Sequence, residues 1–122
     1  VQKRVVWKNE YWLTDEARST YRLSAGLFGL EQHSPIMCIG NGIPALLGRF
    51  REQTTKGFMW KDIGLSDWYF DSDSKFDMDR LSAAVLELAN DTEGSIRQAI
   101  NAQNYVNSLN QKCIGKLAEN FN

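Results

Sequence analysis

The segment Gly29-Leu30-Glu31-Gln32-His33-Ser34-Pro35-Ile36 sets a carboxylate, the only histidine of the chain and a hydroxyl within four residues. It stands where a short apolar run gives way to a helical pattern. A helix start offers free N–H groups and the positive end of the helix dipole, which suit an anion. An imidazole beside it can donate a hydrogen bond or exchange a proton near neutral pH. The chemistry expected is therefore anion binding coupled to proton transfer. His33 is the candidate catalytic residue, and Glu31 and Ser34 are candidate substrate-binding residues. A capped helix carrying a surface histidine and no ligand would use the same residues.

A second constellation, Arg49-Phe50-Arg51-Glu52-Gln53-Thr54-Thr55-Lys56-Gly57, follows the next apolar run. Arg49, Arg51 and Lys56 suit a phosphate or carboxylate, arginine being able to bind either in a bidentate manner. Glu52 adds a possible acceptor for substrate hydroxyls. The glycine spacing of a phosphate-binding P-loop is missing, and a solvated loop has the same composition. No metal site is expected. One histidine excludes a multi-histidine zinc centre, and neither Cys38 nor Cys113 has a second cysteine at ligand spacing. Asp71-Ser72-Asp73 with Asp77 begins like a calcium loop, but Phe76 stands at the turn-glycine position and no glutamate closes it.

Both constellations fall at strand ends if the apolar runs are strands. Val1 to Trp12 is β-prone, with Val5, Val6, Trp7, Tyr11 and Trp12. Thr14, followed by Asp15 and Glu16, reads as a capped helix start running to about Ser24. Ala25 to Leu30 and Ile43 to Leu47 have the composition of buried parallel strands, with Pro44 near the start of the second. Between them, Ser34 and Pro35 open a helix through Ile39 that Gly40 or Gly42 can end. Phe58 to Ile63 is a short helix stopped by Gly64, and Trp68 to Phe70 is a strand. This alternation predicts a Rossmann-like α/β domain, a parallel sheet flanked by helices. From Phe76 the pattern is helical to the end, with Asp77 as cap, an apolar stripe through Leu81, Val85 and Leu88, and a break at Asn90-Asp91-Thr92 with Asp91 capping the last helix. Residues 76–122 thus form two closing helices. Trp7, Trp12, Trp60 and Trp68 could stack on sugars but are expected in the core.

In an open α/β sheet, ligands bind outside the carboxyl ends of the strands, so both constellations should border one crevice. Composition narrows the partner. The chain has 122 residues, one domain's worth, with 14 basic and 15 acidic residues and a formal net charge of -1. That balance argues against a general electrostatic grip on nucleic acid. The longest weakly polar run, Ser34 to Gly48, is too short for a bilayer span. Two cysteines at apolar helical positions, with no secretory leader pattern, favour a reducing cytoplasm.

In the order of these features the sequence resembles the C-terminal part of the polysaccharide pyruvyl transferase family. The likeness rests on the Asp15-Glu16-Ala17 helix start, the Glu31-Gln32-His33-Ser34-Pro35 turn, Gly42-Ile43-Pro44-Ala45 entering a strand and the Lys56-Gly57 loop. It continues through Asp62-Ile63-Gly64-Leu65, an aromatic strand, an Asp-rich loop and two closing helices.

The resemblance implies the C-terminal lobe of a two-lobed enzyme similar to GT-B glycosyltransferases, so the 122 residues would be a fragment needing its N-terminal lobe for turnover. It implies transfer of a pyruvyl group from phosphoenolpyruvate to a hydroxyl pair of a cell-surface polysaccharide, with no further cofactor. In the family an Arg-x-His motif at this turn serves donor binding and catalysis. Here His33 matches the histidine, while Glu31 stands at the arginine position. Either Arg49, Arg51 or Lys56 supplies the cation, or the donor differs. Two other functions fit the residues: a glycosyltransferase lobe holding a nucleotide-sugar, with Glu31 or Glu52 on the ribose, and a non-enzymatic module that self-associates through Met78 to Leu117. A homo-oligomer is compatible with each.

Overall fold

Three short strands pair in parallel in chain order: β1 (Leu27–Gly29), β2 (Ala45–Arg49) and β3 (Tyr69–Asp71). Leu27 lies opposite Ala45, and Leu47 opposite Tyr69. All five residues of the central strand are buried, as expected of a parallel strand covered on both faces. The computed structural model describes residues 4–121 of the chain. Strand alternation puts Ala45, Leu47, Arg49, Tyr69 and Asp71 on one face, and Leu46, Gly48 and Phe70 on the other.

The helices cover both faces. On the Leu47 face, α2 (His33–Gly40) links β1 to β2, and α3 (Met59–Asp62), with a 3-10 turn at Ser66–Trp68, links β2 to β3. Trp60 is fully buried there and donates its indole N–H to Ala45 O at 3.2 Å. On the Phe70 face lies α4 (Lys75–Asn90), whose Arg80 guanidinium sits 4.2 Å from the centroid of the Phe70 ring. Its Leu88 is buried and, with Val85, borders the gap beside Leu46 and Gly26. The 30-residue α5 (Thr92–Phe121) packs on α2 along its buried small residues Ser95, Ala99 and Ala102. An N-terminal helix, α1 (Thr14–Arg22), buries only Ala17. No helix among the described residues is long and apolar enough to cross a membrane.

The mixed α/β class and the parallel sheet with two closing helices agree with the sequence. Asp91 breaks the last two helices as expected, its Oδ1 accepting the Gly94 N–H at 2.9 Å. Pro44 immediately precedes β2, its carbonyl accepting the Leu27 N–H at 2.9 Å. Several expectations are corrected. Residues 4–12 form no strand, and Val5, Val6, Trp7 and Tyr11 are exposed; Val1 to Lys3 lie outside the described residues. β-propensity expresses fit to a half-buried pleated surface, and this stretch has no such surface beside it. Trp60 and Trp68 are core residues, whereas Trp7 is 85% exposed and Trp12 is exposed, edge-on to Tyr21 and with Lys8 Nζ 5.5 Å from its ring centroid.

Three helix starts differ as well. Thr14 is the first residue inside α1 and makes no cap bond; the Glu16 carboxylate takes the Leu13 N–H at 3.0 Å instead. Ser74, and not Asp77, caps α4, accepting the Asp77 N–H at 3.3 Å. Asp77 is left free to accept from Asp71 N at 2.9 Å and Arg80 Nε at 3.0 Å. Ser34 lies inside the first turn of α2, one residue past its start. The β2 strand runs two residues later than expected, which turns Arg49 from a loop residue into a buried strand residue.

Candidate functional site

The carboxyl ends of β1 and β2 open onto a crevice of about 160 Å³. Leu30, Glu31, Gln32 and His33 line it from the β1–α2 turn, Leu47 and Arg49 from β2, and Gln53, Lys56 and Gly57 from the following loop. Four of the seven expected site residues, Glu31, His33, Arg49 and Lys56, therefore meet at one place. Ser34, Arg51 and Glu52 do not line it.

The β1–α2 turn is organised by Glu31. Its Oε2 accepts the His33 N–H and its Oε1 the Ser34 N–H, each at 2.6 Å. The free N–H groups at the start of α2 are thus filled by a carboxylate of the chain itself. The helix-start N–H groups expected to suit an anion are engaged within the chain, and Ser34 is a partner of Glu31. Partial burial pushes the Glu31 carboxyl up. Hydrogen bonds from the Ser34 side chain and backbone and from the His33 N–H, with the His33 charge, outweigh burial and hold it below its ordinary value. His33 Nδ1 lies 3.3 Å from Glu31 Oε2. The imidazole itself is nearly fully exposed, open to whatever enters the crevice.

Arg49 is 7% exposed and makes no ion pair with any described residue. Burying a charge is costly unless polar partners replace water. Here Nε donates to Phe50 O at 3.2 Å, Nη1 to Tyr69 Oη at 3.1 Å and Nη2 to Arg51 O at 3.3 Å. The Phe58 ring lies 4.8 Å from the guanidinium carbon, a cation–π distance. Arg49 thus anchors the loop that follows it while leaving an uncompensated positive charge at the crevice wall. The Arg51 N–H donates to Asp73 Oδ2 at 2.7 Å and ties this loop to the one after β3. Glu52 is exposed in the 3-10 turn Arg51–Gln53.

Sequence reasoning missed Gln53. Its Nε2 donates to Leu30 O and its Oε1 accepts from Phe50 N, both at 3.0 Å. This clamp joins the cationic loop to the β1–α2 turn and closes the crevice on one side. No local signal marks it, because Leu30 lies 23 residues away. Also missed was a shallower basin of about 470 Å³ on the far side of Arg49. Phe58, Lys61, Tyr69, Asp77 and Arg80 line it, with Lys61 Nζ 4.7 Å from the Tyr69 ring centroid. Among the described residues, no group of three or more His, Cys, Asp or Glu side chains is placed to hold a metal ion.

Fold and site together define a parallel α/β domain with a cationic, histidine-bearing crevice at the carboxyl edge of its sheet. No protein-family model, curated protein or solved structure matches the chain.

Proposed function

We propose that the chain is the donor-binding lobe of a polysaccharide pyruvyl transferase, working in the cytoplasm with a second, N-terminal lobe that brings the saccharide acceptor. One observation carries the proposal: His33, Arg49 and Lys56 line a single crevice outside the carboxyl ends of β1 and β2. A phosphoenolpyruvate-like donor is small and carries a carboxylate and a phosphate. It needs positive charge and one group able to exchange a proton. Lys56 and the buried charge of Arg49 supply the first, and His33 the second.

In the proposed reaction two sugar hydroxyl oxygens bond to C2 of the donor and the C2–O bond to phosphate breaks. One hydroxyl proton ends on the methylene carbon, which becomes a methyl group, and the other leaves with the phosphate. His33 carries the proton between hydroxyl and methylene. Lys56 neutralises the departing phosphate. The GT-B-like lobe assignment belongs to this proposal, as does the expectation that the lobe alone turns over little or no substrate. The nucleotide-sugar alternative gains no support from Glu31, whose two oxygens are held by backbone N–H groups, or from Glu52, which lies outside the crevice.

The test is titration calorimetry of the intact protein with phosphoenolpyruvate, alongside uridine and guanosine diphosphates. Phosphoenolpyruvate is expected to bind, and His33→Ala is expected to abolish transfer while Lys56→Ala weakens donor binding by roughly tenfold, about 1.4 kcal/mol. Binding of a nucleoside diphosphate with no response to phosphoenolpyruvate would overturn the proposal in favour of glycosyl transfer. Unaltered pyruvyl transfer by His33→Ala would overturn the role of the imidazole.

A further inference from the structure

We infer that Glu31 is a positioning residue that fixes the ring and tautomer of His33, so that Nδ1 carries the proton and Nε2 presents its lone pair to the crevice. The inference rests on the reading of the crevice given above but is carried by geometry independent of any substrate.

Glu31 is held from two directions. The backbone N–H groups of His33 and Ser34 donate to its two different oxygens at 2.6 Å each, which fixes the plane of the carboxylate. The oxygen that accepts the His33 N–H is the one 3.3 Å from His33 Nδ1. An acceptor-only carboxylate in that place favours a proton on Nδ1. The start of α2 is thus a fixed mount: helix N–H groups hold a carboxylate, and the carboxylate stands at ion-pair distance, 3.3 Å, from the imidazole Nδ1.

Without such a mount, a side chain as exposed as His33 would sample several rotamers and both neutral tautomers. Restraining it matters for catalysis because the proton-transferring atom must lie within hydrogen-bond reach of its target. With Nδ1 facing Glu31, Nε2 is the atom left to accept a hydroxyl proton, and the carboxylate stabilises the imidazolium that forms. The proton then passes from Nε2 to the donor methylene, and the imidazole returns to its starting state. Glu31 itself transfers nothing and touches no reacting atom. The same arrangement accounts for a glutamate where the resemblance would place arginine. A cation there could neither accept the two N–H groups nor hold Nδ1–H.

The chain has one histidine, so its imidazole nitrogens are assigned without ambiguity. Nitrogen-15 correlation spectra of the protein, at a pH where the imidazole is neutral, are expected to show the Nδ1–H form predominating. Glu31→Gln presents an amide whose NH2 group can donate to Nδ1, and the population is expected to invert to Nε2–H. Glu31→Asp retains a carboxylate and is expected to restore part of the Nδ1–H population. In the intact enzyme, Glu31→Gln should lower kcat at least tenfold while changing the KM for phosphoenolpyruvate less than threefold. Circular dichroism of each variant establishes that α2 is still formed. A wild-type Nε2–H tautomer, or a tautomer population that Glu31→Gln leaves unchanged, would overturn the inference even if pyruvyl transfer is demonstrated. Conversely, an inverted tautomer in a protein that does not bind phosphoenolpyruvate would leave the positioning role standing and remove the proposed reaction.

Discussion

At the scale of single residues, carboxylates do most of the local organising in this protein. Glu16, Glu31 and Asp91 each take backbone N–H groups at helix starts, and Asp77 joins β3 to α4. Burial raises the Asp77 carboxyl, but the Asp71 N–H, the Arg80 hydrogen bond and charge, and the Lys61 charge outweigh it and hold the group below its ordinary value of 3.8. A carboxyl depressed in the folded state stabilises the fold above its unfolded-state value, and that stability is lost as pH falls through the folded value. Asp77→Ala is therefore expected to lower unfolding free energy by about 1.5–3 kcal/mol at pH 7, the range for hydrogen bonds to a charged group. Its deficit relative to wild type should shrink below pH 4. Urea titrations of both proteins at pH 7 and pH 3 measure this, and a deficit independent of pH would show that lost packing, not charge, is responsible.

At the scale of elements, the loop from β2 to α3 decides whether the crevice exists. Arg49, Gln53 and the Arg51 N–H pin it at three points. Gly57 lets it turn back over the sheet with φ at +90°. A Cβ there would meet Leu47 Cδ2 at 2.9 Å and Tyr69 Cε2 at 3.3 Å. Gly57→Ala therefore combines backbone strain with crowding against the sheet and is expected to cost about 1–3 kcal/mol. Because Gly57 and its neighbour Lys56 both line the crevice, affinity for the proposed donor should fall with stability. Thermal unfolding with and without phosphoenolpyruvate reads both effects. An unchanged midpoint would mean that the loop can relax away from Leu47 and Tyr69.

At the scale of the whole molecule, the core and α5 part company. The buried stripe Ser95, Ala99, Ala102 ends near the edge of the body, and every residue from Leu109 to Phe121 is exposed. Leu109, Ile114, Leu117 and Phe121 leave apolar surface open there. Ending the chain after Asn110 removes no buried residue among those described, so the unfolding free energy extrapolated to water should change by no more than about 10–15%, the usual error of such extrapolations. Sedimentation equilibrium of the same pair tests the self-association reading. Loss of an oligomer on truncation would support it, and a monomer in both would count against it.

How much was legible beforehand follows from the range of the interactions involved. The βαβ order, the break at Asp91, the stop at Gly64 and the placement of Pro44 depend on residues close in sequence, and the chain alone determines them. The same holds for the proximity of Glu31 and His33, which share one turn. The N-terminal stretch misled because β-propensity needs a neighbouring strand to have any effect, and residues 4–12 have none. Thr14 and Asp77 are not caps because both helices begin earlier than expected: Leu13 is the N-cap of α1, with Glu16 reaching back to its N–H, and Ser74 caps α4.

Only the tertiary structure decided which cations face the crevice. Arg49, Arg51 and Lys56 are equivalent by composition. Parallel pairing of β2 with β3 buries Arg49 against Tyr69, 20 residues away, while Arg51 and Glu52 turn outward. The sequence by itself determined the kinds of element and the chemistry at their ends. Their convergence on one crevice came from strand register and from long-range clamps such as Gln53 to Leu30, because no local propensity encodes a partner more than a few residues distant.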